Sequence, residues 1–205
     1  MSVDNQIQVG EANVADGAQI ALRGGRLGEQ IMSELGGRYQ EQAYRKRLFW
    51  AHAIVTAPVI YSTAAGTGGP LLYNGTNTVN AVLLGVGIGV TTVTTVAAAL
   101  GITGGPTSAP SSTTAIDSRT NAFIGGAASG CTPYRVGTVS AAGTFFIPFA
   151  NLHTGALTVD NASMLWVDLG VSIIVPPGYF ASVAASATAT TTVASISMLY
   201  AEVPV

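Results

Sequence analysis

The sequence predicts an all-β protein: an antiparallel β-sandwich preceded by an extended, partly helical N-terminal arm. Three features point there. Apolar residues alternate with small ones at a period of two through the longest uncharged stretch. Short β-branched segments recur to the C-terminus between clusters of Gly, Asn, Pro and Ser. The charged side chains crowd into the first quarter of the chain, with twelve of the eighteen before residue 48.

The arm comes first. Residues 1–47 hold Asp4, Glu11, Asp16, Arg23, Arg26, Glu29, Glu34, Arg38, Glu41, Arg45, Lys46 and Arg47, whereas residues 48–205 hold only six charges. That shift divides the chain into an arm, 1–47, and a body, 48–205. The opening, "MSVDNQIQVGEANVADG", is polar and acidic, unlike a secretory signal. Leu27, Ile31 and Leu35 stand at i, i+4 and i+8 ahead of Gly36-Gly37, a natural helix stop, so a short amphipathic helix is expected over about 27–35. Residues 38–47 are expected to add another turn. So little apolar surface cannot fold alone and needs a partner to lie on. The basic cluster "YRKRLFW" supplies Arg45, Lys46 and Arg47 as the charged part of that contact. A partner protein is favoured over nucleic acid, because the net charge is −2 and the single "RGGR" is flanked by acids.

In the body, "AHAIVTAPVIY" and "GPLLYN" open the series of expected strands. The run "AVLLGVGIGVTTVTTVAAALGI" (81–102) contains no charge and is long enough for a membrane helix, which needs about 20 apolar residues. Its Gly85 and Gly89 even have the spacing of packed membrane helices. However, no aromatic or basic anchor flanks it, and Arg47 and Arg119 are the nearest basic residues. Val82, Leu84, Val86, Ile88 and Val90 are large, and Ala81, Gly85, Gly87 and Gly89 are small, with Leu83 the one exception. A period of two belongs to a strand, whose successive side chains face opposite sides. Two strands are expected, near 80–90 and 92–100, and no membrane span. Gly104–Thr114 reads as an exposed loop. "RTNAFIGG", "YRVGTVS", "GTFFIPF", "GALTV", "SMLWVDLGVSIIV", "GYFASVAAS" and "TTVASISMLYAEV" complete the strand series. Residues 69–90 and 155–175 share an order of features ending in Leu-Gly-Val-x-Ile-x-Val. Either any two outward-alternating strands look this similar, or two equivalent hairpins face each other in one sandwich.

No cluster announces a chemistry. Cys131 is the only cysteine, and it reads as a small packing residue. His52 and His153 lie at no metal-ligand spacing from each other or from an acidic pair. Asp117, Asp160, Asp168 and Glu202 are the body's acids. Alternation puts Asp168 on the less apolar face of its strand, and a carbohydrate-acting enzyme would need two such carboxylates to meet. No GxSxG, HExxH or P-loop pattern occurs, and "GVGIG" lacks the following helix of a dinucleotide loop. "NGT" (74–76) and "NAS" (161–163) read as turns. No cofactor or metal is expected.

A chain with 9% charged residues, against about 25% in average proteins, and only six of them in its body, has little charge repulsion to keep it apart from neighbours. Such a surface suits packing among copies, which favours a structural unit over a catalyst. The "NGTNTVNAVLLGVGIGVTT" block, and "SMLWVDLGVSIIVPPGYFASVAASATATTTVASISMLYAEV" with its "VPPGYF" corner, carry a resemblance. Over residues 48–205 the chain resembles the jelly-roll sandwiches of viral structural proteins. In particular it is similar to small virion proteins of tailed bacteriophages, the capsid decoration (cement) proteins and head fibres. The resemblance implies a non-enzymatic homotrimer on a phage capsid, located in the virion. Its arm, through Leu27, Ile31, Leu35, Arg45, Lys46 and Arg47, would hold the major capsid protein or another virion protein, with neither membrane nor nucleic acid as partner. The alternative implied is a receptor- or glycan-binding fibre or tail component of the same fold, with loop 104–114 as its recognition face.

Overall fold

The computed structural model describes residues 39–56, 60–62, 70–92, 98–152, 165–187 and 193–205. The chain divides between Gln40 and Glu41, and the larger unit, Glu41–Val205, therefore takes in residues 41–47, which composition assigns to the arm. The helix expected over 27–35 lies outside the described residues. Within 38–47 the expected extra turn is α1 (Gln40–Tyr44). The Lys46 amide donates to the Ala43 carbonyl and the Arg47 amide to that of Gln42, both at 2.9 Å, with Lys46 at φ 60°. This is a Schellman ending, in which a left-handed residue turns the chain out of the helix.

Eleven strands follow in the described residues: β1 (Leu48–Thr56), β2 (Leu71–Asn74), β3 (Val79–Thr92), β4 (Ala98–Pro106), β5 (Ser111–Ala115), β6 (Ser118–Asn121), β7 (Thr132–Thr138), β8 (Phe145–Leu152), β9 (Leu165–Val175), β10 (Tyr179–Ala185) and β11 (Val193–Pro204). They form a five-stranded sheet, β6-β1-β11-β3-β9, and a six-stranded sheet, β5-β7-β2-β10-β4-β8, packed as an antiparallel sandwich. When β5–β7 are set aside, eight strands remain, and they pair from the outside inward. The first pairs with the last (β1 with β11), then β2 with β10, β3 with β9 and β4 with β8. This nesting is one long hairpin wrapped into two sheets, the jelly roll. The β4–β8 connection carries β5–β7, which widen both sheets on the same side: β6 adds to β1, β7 to β2, and β5 to β7.

Within the uncharged stretch 81–102, residues 81–92 belong to strand β3 and 98–102 to β4, residues 93–97 lie outside the described residues, and no helix among the described residues is long and apolar enough to cross a membrane. Val86 and Ile88 face the core. Leu83, the exception in the alternation, marks a real irregularity. Leu84 is skipped in the pairing with β11 and again in the pairing with β9, so the parity reverses and Ala81 and Leu83 point inward before it. The two segments of the sequence repeat place β3 and β9 side by side in one sheet. They do not face each other as two hairpins across the sandwich.

Two sequence expectations need correction. Of the strand expected over 92–100, Thr92 ends β3, residues 93–97 lie outside the described residues, and 98–100 open β4, which runs on to Pro106. The loop expected over Gly104–Thr114 is mostly strand: its first three residues finish β4, and its last four belong to β5 (Ser111–Ala115). The glycines there serve close approach rather than turning. A Cβ on Gly104 would stand 2.6 Å from the Phe180 carbonyl oxygen, and one on Gly101 would stand 2.6 Å from the Ile147 oxygen and 2.7 Å from the Phe146 ring. By contrast, "VPPGYF" is the expected turn. The Tyr179 amide donates to Pro176 at 3.1 Å, and Gly178 takes the φ of 76° that a type II turn requires of its third residue.

The core lies between the sheets, where Val86, Ile196 and Met198 meet Leu72, Leu100 and Ile102. One polar side chain sits fully buried at its end. Asn74, the last residue of β2, donates from Nδ2 to the carbonyls of Val79 (2.8 Å) and Val175 (2.9 Å). Its Oδ1 accepts from the Thr76 amide (3.1 Å) and hydroxyl (2.7 Å). One amide thus joins the six-stranded sheet to β3 and β9 of the other. The "NGT" is a turn, as expected, and its Asn is inaccessible to a glycan. Replacing Asn74 with Ala removes the donor to the buried Val175 carbonyl, leaves the part-buried Val79 carbonyl to Thr76 alone, and should cost about 3 kcal/mol. A urea-unfolding midpoint for Asn74→Ala that matches the parent would contradict this role.

Candidate functional site

Of the expected arm contacts, Leu27, Ile31 and Leu35 lie outside the described residues. Arg45, Lys46 and Arg47 stand at the root of the jelly roll. Here the basic cluster is stitched into the fold by its backbone. The Lys46 carbonyl accepts from Asn121 Nδ2 at 2.7 Å, and the Arg47 carbonyl accepts from the Glu202 amide at 2.8 Å. The Lys46 ammonium sits 4.9 Å from the centre of the Phe123 ring, a cation–π contact. The Arg45 side chain is exposed.

Asn121 organises the other half of the root. It is buried at the end of β6, donates also to the Ala127 carbonyl (3.1 Å), and accepts from the Phe123 amide (2.9 Å). That local bond ends the strand expected over 119–126 at Asn121. A turn follows, closed by the Gly126 amide on Phe123 (2.8 Å), with Gly125 at φ 82°. The turn holds Ile124 out at 94% exposure, beside the partly exposed Phe123. Tyr44, at the end of α1, is also more than half exposed.

Beneath this turn is a cavity of about 190 Å³ lined by Phe49, Arg119, Asn121, Ser129 and Tyr200. Phe49 and Tyr200 stack with centroids 5.5 Å apart. Tyr200 is fully buried, and among the described residues its hydroxyl makes no well-formed hydrogen bond, with the Ser129 hydroxyl a polar neighbour. Burial pushes that phenol above the ordinary tyrosine range, the Ser129 hydroxyl opposes part of the rise, and the nearby Glu202 carboxylate adds to it. Glu202 Oε1 accepts from the Ser129 hydroxyl (2.6 Å) and the Cys131 amide (2.8 Å). Cys131 is buried beside it, and its thiol is pushed up to about 12 by burial first and the Glu202 charge second. A thiol held so firmly protonated is a packing group and a poor nucleophile.

The remaining candidates are dispersed. His52 lies on the outer face of the five-stranded sheet, with Nδ1 3.1 Å from Ser197 Oγ. Asp168 is exposed in register with Gly85, on the outward side that alternation predicts, while Glu202 lies opposite Ala81 on the inward side. These two acids therefore form no catalytic pair. Asp117 accepts from the Ile54 amide (2.7 Å) and pairs with Arg135 (3.3 Å), closing the ladder where β6 stops. His153 and Asp160 lie outside the described residues. Among the described residues no group of three His, Cys, Asp or Glu could hold a metal ion. No family model, curated protein or solved structure matches the chain.

The root was hard to find from sequence because Asn121, Phe123 and Ile124 read as one strand. The Gly125-Gly126 pair after them was the available turn signal. The Cys131 thiol supplies a test. The unfolded chain loses that proton near its ordinary value of 9.0, and the folded chain keeps it to about 12. The folded state therefore holds more protons in that window. Its stabilising effect is full below pH 9 and is lost as pH rises toward 12. Denaturation midpoints across this range should fall with pH, and fall less steeply in Cys131→Ala. Equal slopes would contradict the assignment.

Proposed function

We propose that the chain is a non-enzymatic structural protein of the virion. In this reading it is a homotrimeric jelly roll that decorates and stabilises a bacteriophage capsid, with its N-terminal arm attached to the capsid protein. The fold alone carries no function, although jelly rolls recur in viral capsid and lectin domains. The observation that carries the reading is the exposed apolar turn Phe123-Ile124, held at the root of the jelly roll where Lys46 packs on the Phe123 ring, with Tyr44 at the end of α1 exposed as well. A fully projecting isoleucine on a glycine-assisted turn costs solubility unless something covers it. The charged segment that precedes it contains Leu27, Ile31 and Leu35 at helical spacing and ends at this root.

Mechanistically, the arm would gain order only on a shell, and the turn would add a fixed anchor. Binding to assembled shell but not to free subunits shifts the balance toward the shell by mass action. The full chain carrying Leu27→Asp, Ile31→Asp and Leu35→Asp, and separately Ile124→Asp, should keep its thermal midpoint. Each variant should lose about tenfold or more in co-sedimentation with capsid shells that lack the protein. Undiminished binding by both variants would overturn the proposal.

A further inference from the structure

We infer that the outer face of the five-stranded sheet is a carbohydrate-binding platform built on Trp50 and Trp166. The proposal uses residues separate from the arm root and does not depend on the capsid reading.

Trp50 is in β1 and Trp166 in β9, with β11 and β3 between them. Their rings nevertheless meet, with centroids 5.3 Å apart and planes inclined at 48°. The intervening register explains how. Trp50 stands opposite Leu199, which stands opposite Gly85, and His52 leads through Ser197 and Gly87 to Trp166. The outward positions of β3 here are glycines, so nothing blocks the indole. A Cβ on Gly85 would collide with Cζ2 of Trp166 and stand 3.0 and 3.1 Å from Cη2 and Cε2. Trp166 thus leans across bare backbone onto Trp50. The two indoles remain 44% and 36% exposed, respectively.

The surroundings identify the ligand class. Around the rings stand the His52–Ser197 pair, the exposed Thr120 and the exposed carboxylate of Asp168. No Lys or Arg occupies the outward positions paired across Ser118–Thr120, Trp50–Ile54, Ser195–Leu199, Gly85–Gly89 and Trp166–Asp168 on this face. An anionic polymer would find no counter-charge among the described residues of this face. A neutral saccharide fits both halves of the surface: the C–H face of a pyranose ring packs on an indole, and its hydroxyls bond to hydroxyl, imidazole and carboxylate groups. The size fits too. The exposed part of the two indoles is about 200 Å², a fraction of the roughly 800 Å² per partner that a stable protein interface buries.

The chain has only two tryptophans, so emission excited at the red edge of the absorption band, where its tyrosines do not absorb, reads this face. The test titrates the full chain with neutral oligosaccharides of the gluco-, xylo-, manno- and N-acetylglucosamine series. At least one series should shift or quench the emission saturably. The same ligand should bind about tenfold or more weakly, by calorimetry, to Trp166→Ala. Gly85→Ala keeps the indole but drives it off its seat, and should weaken binding with the circular dichroism spectrum unchanged. The proposal is overturned if no series binds at millimolar concentration, or if binding survives both substitutions. It is also overturned if acrylamide quenching falls as protein concentration rises, since a second copy would then be the occupant.

Discussion

The Asn74 amide is the constraint on which the architecture rests. A jelly roll is a hairpin folded over on itself, and its weak point is the passage of the chain from one sheet to the other. At the β2–β3 passage the fold places a single buried side chain whose four hydrogen bonds span both sheets. Its own carbonyl accepts from Gly178 at 2.8 Å, which ties in the type II turn before β10. The positions of β2, β3, β9 and β10 are thereby fixed around one residue. Apolar burial supplies the bulk of the stabilisation, but it has no direction. The amide pins the start of β3 at Val79, and the bulge at Leu84 then turns Gly85 and Gly87 outward beneath Trp166.

The sandwich was legible because period-two alternation reports directly on a two-faced strand. Even the one break in the pattern, Leu83-Leu84, was informative, since it coincides with the bulge. Glycine was the ambiguous letter. In "GITGGP" it reads as loop, yet Gly101 and Gly104 let strands and rings come close enough to continue β4. The same aromatic-over-glycine device recurs on the other sheet, where Phe146 lies against Gly101 and stacks on Tyr61 at 4.7 Å. No local pattern encodes such meetings. Trp50 and Trp166 come together only through the strand order, and Lys46 meets Asn121 only because the β4–β8 insertion returns to β1. Asn74 is a turn signal in sequence, and its burial appears only once both sheets are in place.

The insertion also bears on how so neutral a surface is managed. Long unpaired strands invite edge-to-edge association. On one side of each sheet the nine-residue β1 and the paired strand β2 are covered, and the exposed edges become β6, of four residues, and β5, of five. Short edges restrict edge-to-edge growth on that side, while the opposite edges, β9 of 11 residues and β8 of 8, are long.

We propose above all that this jelly roll assembles with copies of itself. Sedimentation equilibrium of the intact chain tests it most directly, because it gives mass without assuming shape. The account predicts a species of three times the chain mass that persists on dilution into the low micromolar range. A single-chain mass throughout that range would contradict it.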